Sequence, residues 1–303
     1  MFTDLCGKRR LKINLHTHTT LSDGKKPPEE VAAIYRAAGY DAIAITDHWI
    51  FTSNGNISGL DIISGCEYHV YAPEKEGGIY ECYHILALGC ESEPDVPRSF
   101  LGDESTGVRT RAKKIIDAIH EAKGVAVLAH PAWSLNSAEQ MMAVAGYDAT
   151  EIYNSVSEHE MSDRPYSGIL VDEAASLGLK ATLLATDDAH YYTGDECRGF
   201  IAVDADSAEK YGLIEAIRRG DFYASTGPEI HLERVSEKEV KLICSPAVKV
   251  AFLSNSVWAD GRVVRGKEIT SASYTAMSHE TFLRAEVTDE SGRVAFSNII
   301  YLK

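Results

Sequence analysis

The sequence predicts an α/β architecture over residues 1–228, followed by a small antiparallel β domain over residues 229–303. Three observations predict it. Short apolar runs rich in β-branched residues alternate with stretches of helical period that open on proline or acidic residues and stop at glycine. Several of these runs end in a histidine or a carboxylate, the layout of proteins that keep their chemistry at the C-terminal ends of parallel strands. Beyond about Glu229 the helical period is gone, and β-rich stretches are separated by turn residues.

Taken in order, residues 11–15 form a strand that delivers His16 and His18. Pro27-Pro28-Glu29-Glu30 opens a helix through Ala38, with prolines and acids where a first turn favours them and Gly39 at its end. Residues 42–46 are the next strand, completing a βαβ unit and presenting Asp47 and His48. Residues 54–59 read as a polar loop, 62–66 as a strand running into Glu67, and 73–78 as a second loop. Residues 83–89 have a buried-strand pattern with His84 near its start, and 91–107 are acidic and punctuated by glycine and proline. A helix over residues 108–123 carries Ile115, Ile116 and Ile119 on one face and stops at Gly124. The strand at 125–129 then presents His130-Pro131. Residues 137–145 are a short helix, 148–153 a strand and 164–177 a helix capped by Gly178. The strand at 181–185 presents Thr186-Asp187-Asp188-Ala189-His190, and residues 207–219 form the last helix, ended by Gly220. Such alternation predicts a mostly parallel sheet.

The tail contributes strands at residues 239–244, 248–254, 281–289 and 294–302, separated by Asn255, Asp260-Gly261 and Glu290-Ser291-Gly292-Arg293. It reads as a sandwich-like accessory domain. It holds no ligand cluster, so its expected role is packing.

Side chains alternate along a strand, so His16 and His18 project from one face into one small volume. They form a chelating pair, and Asp23 offers a hard oxygen nearby. Asp188 and His190 repeat the spacing, and Glu67 has two oxygens with which to bridge two ions. Asp47, adjacent to His48, points to the other side and orients rather than ligates. Asp187 stays open between a surface acid, an orienting partner and an alternative ligand. His69 lies two residues from Glu67 and can share its face, while Glu151 and Asn154 are candidates for the pocket wall. His120, His159, His231 and His279 fall on a helix flank, in a polar run, or in or beside the tail, and no chemistry is assigned to them.

A formal charge of -15 argues against a nucleic-acid surface, which needs a basic stripe. No apolar run reaches membrane length, and the expected location is the cytoplasm. The six cysteines, Cys6, Cys66, Cys82, Cys90, Cys197 and Cys244, lack C-x-x-C spacing, which indicates neither a zinc knuckle nor a disulfide framework. Neither a G-x-S-x-G elbow nor a P-loop is present, so serine-hydrolase and kinase readings lack support.

The ordered set of His16-Thr17-His18-Thr19, Ser22-Asp23-Gly24, Thr46-Asp47-His48, Gly65-Cys66-Glu67, Tyr83-His84, His130-Pro131 and Asp188-Ala189-His190 resembles the PHP family, the polymerase and histidinol phosphatase domain. The resemblance covers about residues 11–228. It implies a distorted (β/α)7 barrel and a metal-dependent phosphoesterase that attacks a small phosphorylated molecule through metal-bound hydroxide. It implies two or three divalent ions. By resemblance, His16, His18, Glu67 and Asp188 hold one, Asp23, His48 and His190 a second, and Glu67, His84 and His130 a third. Zinc, manganese and iron all suit these ligands. Asp23 stands where some members carry a histidine, and Thr186-Asp187 where glycine-serine is more usual. The candidate catalytic residues are Asp23, His48, His190 and Arg198, the last as a clamp that binds two phosphate oxygens at once. Arg109, Arg111 and Lys25 are the other candidate cations. The expected partner is a small-molecule phosphate ester. Two alternatives stay open: hydrolysis of a non-phosphate bond, as in amidohydrolases, and a non-catalytic metal-stabilised module.

Overall fold

The computed structural model describes residues 1–72, 81–103 and 105–302; the loop expected at residues 73–78 lies outside the described residues. In chain order the first strands are β1 (Phe2–Thr3), β2 (Arg9–Asn14), β3 (Ala42–Ala44), β4 (Gly55–Ile57), β5 (Leu60–Ile63), β6 (Gly65–Tyr71) and β7 (Cys82–Leu88). They are followed by β8 (Val125–Leu128), β9 (Ala149–Asn154) and β10 (Thr182–Thr186). Among them lie α1 (Pro28–Ala37), α2 (Val108–Glu121), α3 (Ala138–Ala143) and α4 (Gly168–Ser176). Next come β11 (Phe200–Asp204), α5 (Ala205–Tyr211), α6 (Leu213–Arg219) and β12 (Phe222–Ser225). The remainder is β13 (Ile230–Arg234), β14 (Glu239–Leu253), β15 (Val263–Thr275), β16 (Phe282–Thr288), β17 (Val294–Phe296) and β18 (Ile300–Tyr301).

Local chemistry explains the helices. α1 has proline and two glutamates in its first turn and buries Val31, Ala32 and Tyr35. α2 buries Ile115, Ile116 and Ile119 on the expected face. The Ser137 side chain and Gln140 form a reciprocal capping box on α3. α4 begins at Gly168 rather than near residue 164. The single helix expected at residues 207–219 is two, because Gly212 sits at φ 92° between α5 and α6, outside the helical region.

Among the described residues the strands form two sheets. One has thirteen strands with β2, β3 and β5 parallel at its heart, and the other has five in the order β10-β9-β8-β7-β6. The mostly parallel sheet expected from sequence is corrected to a mixed one, because β6, β7 and β8 pair antiparallel, as do β2, β11 and β12. Nor, among the described residues, do the strands close into a continuous barrel. The two sheets meet through isolated parallel bridges, Thr17 with Ala189 and His48 with Glu67. The run expected to be one strand ending at Glu67 changes sheets at Ser64, whose N–H is taken by Asn54 and whose hydroxyl donates to Cys90 O. Glu67 therefore lies near the start of β6.

The C-terminal strands continue the large sheet through β17, which pairs with β12 and with β16. One apolar core runs from Tyr35 and Ile43 through Phe200 and Tyr223 to Val240, Phe252 and Leu283. The segments expected at 239–244 and 248–254 form the single strand β14, with register shifts in its middle. β15, which the sequence reading does not contain, pairs with β14 and is mostly exposed. All six cysteines are free. Among the described residues no helix is long and apolar enough to cross a membrane.

Candidate metal centre

The ends of β2, β3, β8 and β10 and the beginnings of β6 and β7 gather on one edge of the two sheets. After β2 the chain curls because Asn14 Nδ2 donates to His16 O (3.0 Å) and to Thr17 Oγ1 (2.7 Å). The two spaced motifs are laced across the seam: His18 N donates to Ala189 O and Asp188 N to His16 O. Asp47 faces away from the cluster, as the alternation predicts, and accepts from the backbone and hydroxyls of both Thr19 and Ser22. The loop must pack tightly, since a Cβ at Gly24 would lie 2.5 Å from His18 O.

This folding brings together all nine expected metal ligands. Three groups of converging donor atoms result: His16, His18, Glu67 and Asp188; His18, Asp23, His48 and His190; and Glu67, His84 and His130. In the first group His16 Nε2 lies 3.2 Å from His18 Nε2 and 3.3 Å from Glu67 Oε2. Asp188 Oδ1 lies 3.1 Å from both His16 Nε2 and His18 Nε2, and Glu67 Oε2 lies 3.0 Å from His18 Nε2. Ligands about 2.0–2.1 Å from a tetrahedral ion stand roughly 3.3 Å from one another, so these spacings fit a zinc-sized ion. Glu67 Oε2 and Asp188 Oδ1 are buried and make no hydrogen bond, a costly condition that a cation between them relieves. The other carboxylate oxygen of Glu67 faces the third group, 2.7 Å from His84 Nδ1 and 3.4 Å from His130 Nε2. Asp23, whose side chain is 53 % exposed, opens the second group to solvent.

The electrostatics follow from packing imidazoles against carboxylates. Burial opposes charge on His18, yet the Asp188 and Glu67 carboxylates beside it outweigh burial and hold the imidazole up at about 9. Burial alone would push Glu67 and Asp188 up, but the surrounding imidazoles keep both well below the usual carboxylate range. His48 is held down at about 4, chiefly by burial. The backbone is strained here too. His130 and Asp188 have φ of 28° and 54°, each a cost of about 1–3 kcal/mol that packing must overcome.

Around the ligands, Glu151 is wholly buried rather than part of a wall. Its Oε1 lies 2.7 Å from His16 Nδ1 and accepts from Thr186 Oγ1, while Oε2 accepts from His130 N and Asn154 Nδ2. Asn154 Nδ2 also reaches Asp188 Oδ2 at 3.1 Å. Asp187 is not a surface acid: it is fully buried, raised to about 7 by burial, and accepts from Tyr35 OH and the N–H groups of Cys197, Arg198 and Gly199. Asp195, which sequence reasoning missed, is equally buried and takes the N–H groups of His190 and Tyr191. Only its place in the polar turn Thr193-Gly194-Asp195 hinted at it. His69 does share the face of Glu67, its Nδ1 3.3 Å from His48 Nδ1, but it joins none of the three groups.

The candidate cations are not gathered in. Arg198 pairs with Glu158 at 3.0 Å, and Arg109 with Glu81 at 2.7 Å. Arg111 is buried and donates to the carbonyls of Phe100 and Tyr71. Lys25 is exposed, and its backbone N–H donates to His190 O.

Comparison with solved structures gives distant likenesses. A two-domain protein from Bacteroides vulgatus containing a predicted PHP-like metal-dependent phosphoesterase is 16% identical, with 99% of this chain and 98% of that chain covered and a TM-score of 0.49. A Bifidobacterium adolescentis protein described as a metal-dependent phosphoesterase is 16% identical over 59% of this chain and 87% of that one, at a TM-score of 0.38. An amidohydrolase from Chromobacterium violaceum with bound sulfate is 17% identical over 60% and 89%, also at 0.38. A search of curated proteins found no match. The family model of the PHP domain matches residues 14–167, just over half the chain and most of the ligand positions above. The chain belongs to the PHP domain family.

Proposed function

We propose that the protein is a metal-dependent hydrolase of small phosphorylated molecules. The observation that carries the reading is the pair of open, buried carboxylate oxygens on Glu67 and Asp188, set among imidazole nitrogens at ligand-to-ligand spacing. His16, His18, Glu67 and Asp188 would hold one ion, His18, Asp23, His48 and His190 a second, and Glu67, His84 and His130 a third. A divalent transition metal bound there would supply acidification of water and charge withdrawal from a phosphoryl oxygen. The chain's own residues do the rest. Glu67 ties two groups together, Asp47 fixes the loop that carries Asp23, and the exposed Asp23 and half-buried His48 form the edge at which substrate enters. Arg198 serves as a clamp when it exchanges Glu158 for phosphate oxygens. Residues 1–228 form the catalytic unit, and residues 229–303 an accessory β domain that packs on it.

A second reading, hydrolysis of a non-phosphate bond, is favoured by one observation: Arg109, Arg111 and Arg198 are each already engaged by a carboxylate or by carbonyls. A screen of metal-reconstituted protein over phosphomonoesters, phosphodiesters and amides separates the two. Turnover of phosphate esters is expected. Turnover of amides alone would overturn the phosphoesterase reading.

A further inference from the structure

Glu151 lies outside all three ligand groups, yet it touches strand ends from both sheets. Its two oxygens take His16 Nδ1, Thr186 Oγ1, His130 N and Asn154 Nδ2, so all four of its acceptor directions are used. To hold a metal His16 must be the neutral imidazole, which carries one ring proton, and an ionised carboxylate only accepts. The 2.7 Å approach of Glu151 Oε1 to His16 Nδ1 therefore puts that proton on Nδ1. The Nε2 lone pair then faces Glu67 Oε2 and Asp188 Oδ1, where the first group converges. Asn154 passes the same constraint to Asp188.

Resting on the metal-dependent reading above, we propose that Glu151 is a positioning residue of the metal centre, fixing the tautomer and orientation of His16 and, through Asn154, the placement of Asp188. A glutamine of the same size cannot replace it. One of its two polar atoms becomes an NH2 group, which either confronts the donors His130 N and Asn154 Nδ2 or donates to His16 Nδ1 and moves the ring proton to Nε2. Loss of such a partner costs about 10- to 100-fold in metal affinity.

The test compares wild type with Glu151→Gln, each stripped with chelator and titrated with zinc alone, alongside the melting midpoint with and without zinc. The expected result is a dissociation constant about 10- to 100-fold higher for at least one equivalent and a smaller zinc-induced rise in midpoint, beyond any drop in the metal-free midpoint from the disturbed hydrogen bonds. Unchanged zinc affinity in folded Glu151→Gln, or a loss confined to the metal-free midpoint, would overturn the proposal and leave the metal reading standing. Binding of neither zinc, manganese nor iron by wild type would overturn that reading itself, and the proposal with it. A measurement that needs no variant is the nitrogen-detected imidazole spectrum of zinc-loaded wild type. A proton on His16 Nδ1 is expected, and a metal-bound Nδ1 would overturn the assignment.

Discussion

Two buried clusters of charge can be compared within this one chain. Arg284 on β16 is fully buried and donates to Asp172 on α4 at 2.6 and 2.8 Å, with Glu286, Tyr166 OH and Gly168 O completing its partners. The cluster at the strand ends is as deeply buried but leaves Glu67 Oε2 and Asp188 Oδ1 without a hydrogen bond. Both are expensive to desolvate. The first is closed by its own residues and ties the C-terminal strands to α4. The second leaves two acceptors that its own residues do not satisfy. Unsatisfied acceptors, more than burial or charge, distinguish a site from a clamp.

The sharpest way to break this contrast is to remove the shared carboxylate. Glu67→Ala should abolish activity and lower bound metal by more than one equivalent, because Glu67 belongs to two groups. Full metal retention in the folded variant, by elemental analysis, would sink the bridging role. The matching change in the other cluster is Arg284→Ala. It should destabilise the protein by about 3–5 kcal/mol in chemical denaturation, since Asp172 and Glu286 lose their buried partner, while metal content stays unchanged. Metal loss there would mean that the two clusters are one system.

Smaller effects sharpen the account. Arg198→Ala should lower kcat/KM on phosphate esters by about 10- to 1000-fold, or about 1–4 kcal/mol, at constant metal content. Unaltered kinetics would leave Arg198 as no more than the partner of Glu158. Metal affinity should also depend on pH with a definite sign. In the metal-free protein His18 is held at about 9, so below that pH its proton must leave before the ring can ligate. Affinity should therefore rise about tenfold per pH unit for that proton as pH approaches 9, then level off. His48, held at about 4, is already neutral and adds nothing to this slope near neutrality. Calorimetric titrations in buffers of different protonation enthalpy would count the released protons.

Much of the ligand set was legible because apolar strand patterns end just before the paired ligands. His16 with His18 and Asp188 with His190 follow the ends of β2 and β10, where closely spaced ligands are delivered to one edge of the sheets. The parallel barrel was less accessible: the chain changes sheets at Ser64, and nothing local shows that β6 and β7 run antiparallel. Glu151 and Asp195 looked ordinary because their partners lie on other strands or are backbone N–H groups, which leave no pattern in the sequence. β15 escaped notice because its polar, exposed face lacks the apolar alternation of a half-buried strand.

The most direct test is to count the metal. Protein stripped with chelator, reconstituted separately with zinc, manganese and iron, and freed of excess ion should retain two to three equivalents of at least one of them by elemental analysis. Retention of none, by protein that is folded and carries intact His16, His18, Glu67 and Asp188, would contradict the claim that the open cluster is a metal centre.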